Sequence, residues 1–192
     1  MICICHRTGV RESTKQQNAI FKERLISSGG TMTKRLLASL FIAVLLSMPV
    51  HAGWIKPQKG QMPPNAFVAG KNHNGQPLYV CRVQYNGGVY PGMLAESSQG
   101  CNVSFDEKEY SIFDYEILVG NGYRWVTVFN GEIPFDAFLG GMESQGKSIY
   151  VCRGNIDSAW CPGKISPSDG GCRVPHAGKE LTALWYEVLV GS

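Results

Sequence analysis

The chain has 192 residues, enough for one domain or two small ones, and its formal net charge is +3. Seven of its Lys and Arg residues and two of its acidic residues precede Gly53, so the remainder has eleven basic and thirteen acidic residues, a net charge of −2. This balance gives no electrostatic case for binding nucleic acid or an anionic membrane.

Residues 32–52 are typical of a secretory signal peptide. Met32-Thr-Lys-Arg is followed by an apolar run over 36–50 and by small Ala52 before Gly53. A membrane anchor is the alternative, but the run is short for a span of about 20 residues. We therefore predict cleavage, no membrane span after cleavage, and a secreted or periplasmic protein.

Residues 1–31 form a predicted upstream extension that does not fit a signal peptide, because the segment is polar and contains Cys3 and Cys5. Two interpretations remain open. The segment is an unusually long basic region, or translation begins at Met32, which we favour.

The rest of the sequence repeats itself without gaps at a spacing of 71 residues, from Tyr79 to Tyr150. The matches include Tyr-Val-Cys-Arg, Pro-Gly, Gly-Cys, Lys-Glu, Tyr-Glu and Leu-Val-Gly, each found once in either copy. Repetition at a fixed spacing is the signature of a repeat architecture. It predicts a first repeat over 53–124 and a second over 125–192.

Each repeat is rich in β-branched and aromatic residues between turn signals. In the first repeat, Leu78–Tyr85, Tyr110–Val119 and the short run Ala66–Ala69 are predicted strands. We predict an all-β fold of two tandem, pseudo-symmetric antiparallel units of about 70 residues. Because such units are small for independent cores, we expect the two to share a core.

Four cysteines occur as two pairs with the same spacing, which favours one disulfide in each repeat: Cys81 with Cys101, and Cys152 with Cys172. In the chain-entropy model, each bond would contribute about 3 kcal/mol. Zinc is the alternative, but no CxxC pair is present and few histidines remain, so we predict no metal site. Cys161 has no equivalent cysteine and is predicted to be a buried thiol.

The two copies differ at positions that could contact a ligand. Lys164 follows Pro162-Gly163, a predicted turn, whereas the first copy has Met93 at the equivalent position. Glu143 likewise takes the place of Asn72. The Glu residues of the Tyr-Glu pairs, by contrast, occur in both copies, so we expect them to face Arg82 and Arg153 in structural roles.

Taken together, these motifs resemble the DM-nine repeat, a family that includes natterin-like proteins and an oyster mannose-specific lectin. In the second copy the matching residues are Tyr150-Val-Cys-Arg153, Pro162-Gly-Lys164, Gly178-Lys-Glu180 and Tyr186-Glu-Val-Leu189. The resemblance extends over nearly all of residues 54–192 and implies a tandem all-β fold.

The resemblance to the lectin implies mannose-type glycans as partners, and a homodimer. In that lectin an acidic residue after an Ala-Gly step and the Lys of Pro-Gly-Lys hold the sugar, and the matching residues here are Glu143 and Lys164. The first copy departs at both places, with Asn72 as its weaker candidate. Trp160 could pack on the apolar face of a sugar.

We therefore expect an exported, lectin-like carbohydrate-binding protein, with no catalytic activity and no cofactor. The alternative is a structural or protein-interaction module without a sugar site. A hydrolase would need two carboxylates in one cleft, for which Glu143 with Glu187 or Asp157 is conceivable.

Overall fold

The computed structural model describes residues 52–58 and 61–191. The predicted extension and all but the last residue of the predicted signal peptide lie outside this part of the chain. Within it, none of the structure is a helix of the length and apolarity that a membrane span requires.

The first repeat contains seven short strands separated by turns. They are β1 (Gly53–Ile55), β2 (Val68–Lys71), β3 (Pro77–Tyr85), β4 (Gly88–Ala95), β5 (Cys101–Phe105), β6 (Lys108–Ile112) and β7 (Tyr115–Val119).

The second repeat contains the same seven strands at the same spacing. They are β8 (Arg124–Val128), β9 (Leu139–Met142), β10 (Ser148–Ile156), β11 (Ala159–Ile165), β12 (Cys172–His176), β13 (Lys179–Ala183) and β14 (Tyr186–Val190). The predicted all-β tandem fold is confirmed.

The pairing order of the strands displays the pseudo-symmetry. Along the main path it is β1-β7-β3-β4-β5-β6 and then β13-β12-β11-β10-β14-β8, so the second repeat is traversed in the reverse order of the first. The repeats meet where Lys108 of β6 pairs with Lys179 of β13. Reciprocal backbone bonds flank this point: Glu109 N–H donates to the Gly178 carbonyl, and Glu180 N–H donates to the Glu107 carbonyl.

Two strand predictions were displaced. The short strand predicted over Ala66–Ala69 begins two residues later, at Val68, and Ala66 makes an isolated bridge. The single run Tyr110–Val119 is two strands, β6 and β7, separated by a bend at Phe113 and Asp114. No glycine or proline marks that bend, so the sequence pattern did not reveal it.

Each repeat has a cluster of buried residues around its disulfide, and the cluster of the second repeat also includes Leu78 of the first. The two disulfides that the cysteine spacing predicted are present. Cys81 is bonded to Cys101, and Cys152 to Cys172. A third cluster of buried residues joins the two repeats through equivalent side chains, Val80 with Leu118 from the first and Val151 with Leu189 from the second. The expected shared core is therefore present.

The Arg and Glu residues that recur in both repeats also have a structural explanation. Arg82 Nε donates to Glu116 at 2.6 Å, and Arg153 Nε donates to Glu187 at 2.6 Å, as predicted. Each guanidinium lies 4.5 Å from the ring centre of an equivalent tryptophan, Trp54 or Trp125. The pairs connect β3 to β7 and β10 to β14, which gives the Glu of each Tyr-Glu motif a structural role.

Candidate functional site

Glycine allows each repeat to bring one strand close against the other repeat. A side chain at Gly70 of β2 would place its Cβ 2.0 Å from the Trp160 carbonyl oxygen of β11. A side chain at Gly141 of β9 would likewise lie 2.0 Å from the Val89 carbonyl oxygen of β4. These contacts create two equivalent junctions, each formed by both repeats.

The first junction opens into a groove of about 470 Å³, here called the Trp160 groove. Its wall from the first repeat is strand β2 with the turn that follows, and its wall from the second repeat is the β10–β11 hairpin. The lining residues are Val68, Ala69, Gly70, Lys71, Asn72, His73, Gly75, Arg153, Ser158 and Trp160.

Asn72 organises the turn in this groove. Its side-chain oxygen accepts from the backbone N–H groups of Asn74 and Gln76 at 3.0 and 2.9 Å, and its amide nitrogen donates to the Gln76 side chain. Such bonds from a short polar side chain to the following backbone stabilise turns. Asn72 therefore lies in the groove, as its candidate role requires, but most of its hydrogen-bonding capacity is used within the turn.

Trp160 is held in place by a neighbouring cation. The Arg153 guanidinium lies 4.9 Å from the centre of the Trp160 ring and 4.5 Å from that of the Trp125 ring. Its Nη1 donates to the Ala69 carbonyl at 2.6 Å, and Trp185 packs edge-to-face on Trp160 with ring centres 5.9 Å apart. The indole is half-buried and therefore forms a fixed, partly exposed surface in the groove.

The second junction, here called the Glu143 junction, carries different side chains on the same backbone. Glu143 follows β9 in a turn closed by its N–H donating to the Lys147 carbonyl at 2.9 Å. Its side chain is half-buried. Burial raises the pKa of the Tyr90 phenol from the first repeat, and the nearby Glu143 carboxylate raises it further.

The prediction that Lys164 lies in a turn was wrong, because it is within strand β11. Gly163 is needed for a different reason: a Cβ there would lie 2.2 Å from the Arg173 carbonyl oxygen of β12. Pro-Gly in this repeat therefore allows close approach of two strands instead of reversing the chain.

Lys164 is also largely withdrawn from solvent, with 13% of its side chain exposed. Its Nζ lies 3.2 Å from Glu180 Oε2 and donates to the Ser104 carbonyl of the first repeat. The ring centres of Phe105 and Tyr90 lie 4.7 and 5.6 Å away. Burial lowers the pKa of Lys164, and the Glu180 carboxylate partly opposes this shift.

The structure thus brings the four candidate ligand residues together in two pairs. Asn72 and Trp160 line the Trp160 groove, one from each repeat. Glu143 and Lys164 both lie beside Tyr90, but Lys164 is engaged in an ion pair.

Sequence reasoning did not identify the other polar groups of the Trp160 groove, Lys71, His73, Arg153 and Ser158. A signal for three of them was available. The residues at the equivalent positions are Met142, Ser144 and Gly87, so Lys71, His73 and Ser158 differ between the copies, as Lys164 does. That comparison, extended to the whole repeat, would have pointed to this turn and the facing hairpin.

Cys161 is the free, buried thiol that was predicted. Burial raises its pKa to about 11, and Asp157 adds to the effect, so the thiol is protonated at neutral pH. Because the thiolate is the reactive form, this environment does not favour nucleophilic chemistry. Over 52–58 and 61–191 the structure contains no cluster of three or more His, Cys, Asp or Glu side chains suited to a metal ion.

Similarity to known proteins agrees with this repeat architecture. The family model described as the DM9 repeat matches residues 36–112 and 89–183. The chain belongs to the DM9 repeat family. No curated protein matches it in sequence.

A solved structure shows the same fold as this DM9 repeat protein. It is the nematode sperm cell motility protein MFP2B, with a TM-score of 0.54 and 13% sequence identity. The match covers 77% of this chain and 48% of that one, so the chain spans about half the length of MFP2B. At this identity the likeness establishes the fold alone.

Proposed function

We propose that this DM9 repeat protein binds carbohydrate outside the cytoplasm and that the sugar occupies the Trp160 groove. The observation that carries the proposal is the position of a fixed indole in an open groove that also contains polar groups. Pyranose rings have an apolar face that packs on aromatic rings and hydroxyls that need hydrogen-bonding partners. Two disulfides are compatible with export, because such bonds persist in oxidising compartments.

The groove offers both kinds of contact. Trp160 supplies the aromatic surface, while the exposed side chains of Lys71, His73 and Ser158 supply donors and acceptors. Arg153 serves the groove indirectly, because its own hydrogen bonds to Glu187 and the Ala69 carbonyl are internal. This division suits a binding site whose aromatic surface is held by the fold and whose rim is polar.

Glycan-array binding, followed by titration with mannose oligosaccharides, tests the proposal on the purified protein with both disulfides formed. Trp160→Val is the informative variant, because Val89 occupies the equivalent strand position and shows that the fold accepts it. We expect affinity to fall at least about tenfold, equivalent to about 1.4 kcal/mol.

Phe113→Val is the matched control, since it also removes an exposed aromatic ring but lies outside the groove. Its affinity should equal that of the unaltered protein. Absence of glycan binding by the unaltered protein at millimolar concentration would overturn the proposed function. Equal losses in both variants would place the sugar elsewhere.

Protein interaction is a second candidate function, favoured by exposed apolar side chains in the second repeat. Phe135, Leu184 and Trp185 are 103%, 72% and 61% exposed. Large apolar side chains exposed to solvent are candidate contacts for a partner protein. Analytical ultracentrifugation tests the simplest case, a homodimer. The double variant Phe135→Ser and Trp185→Ser should then dissociate it, whereas a concentration-independent monomer would count against self-association.

A further inference from the structure

We infer that the Trp160 groove selects an acidic saccharide, one that carries a carboxylate or sulfate group. The inference rests on the proposed carbohydrate binding and concerns the charge of the ligand. It begins from the side chains that line the groove, which include Lys71, His73 and Arg153 but no Asp or Glu.

The positive charges in the lining are not equivalent. Arg153 is neutralised by Glu187, because Nη2 lies 2.5 Å from the Glu187 carboxylate. Lys71, in contrast, forms no ion pair with any residue over 52–58 or 61–191, and its side chain is exposed. The groove therefore has at its rim an exposed ammonium group that is available to an anionic ligand.

The Glu143 junction shows that this charge is not required by the fold. Its turn has the same backbone, but Met142 takes the place of Lys71 and Ser144 that of His73. The basic turn is therefore particular to the Trp160 groove, where an aromatic surface is also present. Since Trp160 and Lys71 line the same groove, the indole would contact the sugar face and the ammonium its anionic substituent.

The expected size of the effect follows from the strength of a single exposed charge pair. A carboxylate about 4 Å from an exposed ammonium gains about fivefold in affinity, since the attraction in water is modest. Salt should weaken this part of the binding, because exposed charges are screened. The preference for acid is therefore expected to shrink between low and high salt while the aromatic contribution remains.

Two glycans that differ only at C6 of each ring, where one has a carboxylate and the other a hydroxymethyl group, provide the test. A β-linked mannuronate oligosaccharide and the mannose oligosaccharide of the same linkage and length differ by a carboxylate on each ring. Calorimetry at low salt should show the mannuronate binding about fivefold or more tightly. Lys71→Met, which installs the residue of the Glu143 junction, should abolish that preference, so that the two glycans bind the variant with equal affinity.

Lys108→Met is the control, because it removes one exposed positive charge outside the groove. It should retain the preference. Equal or tighter binding of the neutral sugar would overturn the inference while leaving the proposed function intact. Failure of both sugars, together with every glycan on the array, would remove both. If Lys71→Met and Lys108→Met weaken acid binding equally, net charge and not the groove is responsible, and the inference fails.

Discussion

The end of β2 and the turn after it bring Lys71 and His73 into the groove lined by Trp160, whereas the end of β9 and its turn carry Met142 and Glu143. Both turns rest on a glycine that touches the backbone of the other repeat. The difference shows that the glycines which allow strands to approach closely are present in both repeats, while the side chains that face the junctions differ. The two repeats therefore invite comparison position by position.

Lys164→Met should have the largest effect on this comparison, because it gives the second repeat the residue found in the first. It removes a buried partner of Glu180 and a donor to Ser104. Breaking a buried ion pair on one side costs about 3 kcal/mol. Urea unfolding should show this loss, whereas exposed Lys179→Met should not. Unchanged stability in both variants would mean that Lys164 is not structurally important.

Removal of either disulfide should cost the same free energy, which would show that the framework is symmetric. Both bonds close loops with a sequence separation of 20 residues, and each is worth about 3 kcal/mol in the chain-entropy model. The double serine variants Cys81→Ser/Cys101→Ser and Cys152→Ser/Cys172→Ser can be compared by denaturant unfolding. If one double variant loses more than about one and a half times the free energy of unfolding that the other loses, the two disulfides are not equivalent.

Alkaline pH should reveal a difference between the repeats, because the second repeat has Cys161 where the first has Tyr90. Its pKa is raised from 9.0 to about 11 by burial. The unfolded thiol therefore ionises first, and the stabilisation present below pH 9 is lost as pH rises towards 11. The loss reaches up to about 2 kcal/mol. Unfolding from pH 8 to 11 should fall less steeply in Cys161→Ala, and parallel curves would refute this.

Loss of Arg153 should exceed loss of Arg82 by about 1 kcal/mol, the smallest effect expected. Both form the same ion pair, but Arg153 also donates to the Ala69 carbonyl and contacts Trp160, and a net hydrogen bond is worth about 1 kcal/mol. Arg153→Met and Arg82→Met can be compared by thermal unfolding. An equal shift in melting temperature would show that the additional contacts contribute nothing.

Much of the framework could be predicted from the sequence because its residues recur at a fixed separation along the chain. Equal separations located the repeat and both disulfides, and the recurring Tyr-Glu pairs anticipated the bonds of Glu116 and Glu187 to arginine. These features follow from residues that must recur whenever the same backbone recurs. A single sequence that contains two copies reports them directly.

The site was harder to predict because its walls come from different repeats. Trp160 and Asn72 are 88 positions apart, and the sequence pattern does not indicate that β2 packs against β11. Lys164 was misplaced because Pro-Gly is ambiguous, suited equally to a turn and to a strand that another strand approaches closely. The charge of Lys164 did not reveal that its side chain would be buried in an ion pair with Glu180.

The reciprocal glycine contacts have a consequence for how the protein can change. Since Gly70 belongs to one repeat and Trp160 to the other, neither copy owns a complete junction. A substitution in β11 alters the junction whose turn was inherited with the first copy, and one in β4 alters the junction of the second. A sequence change in either repeat therefore alters a junction that also depends on the other repeat. A single ancestral copy would have formed such a groove only by pairing with another copy.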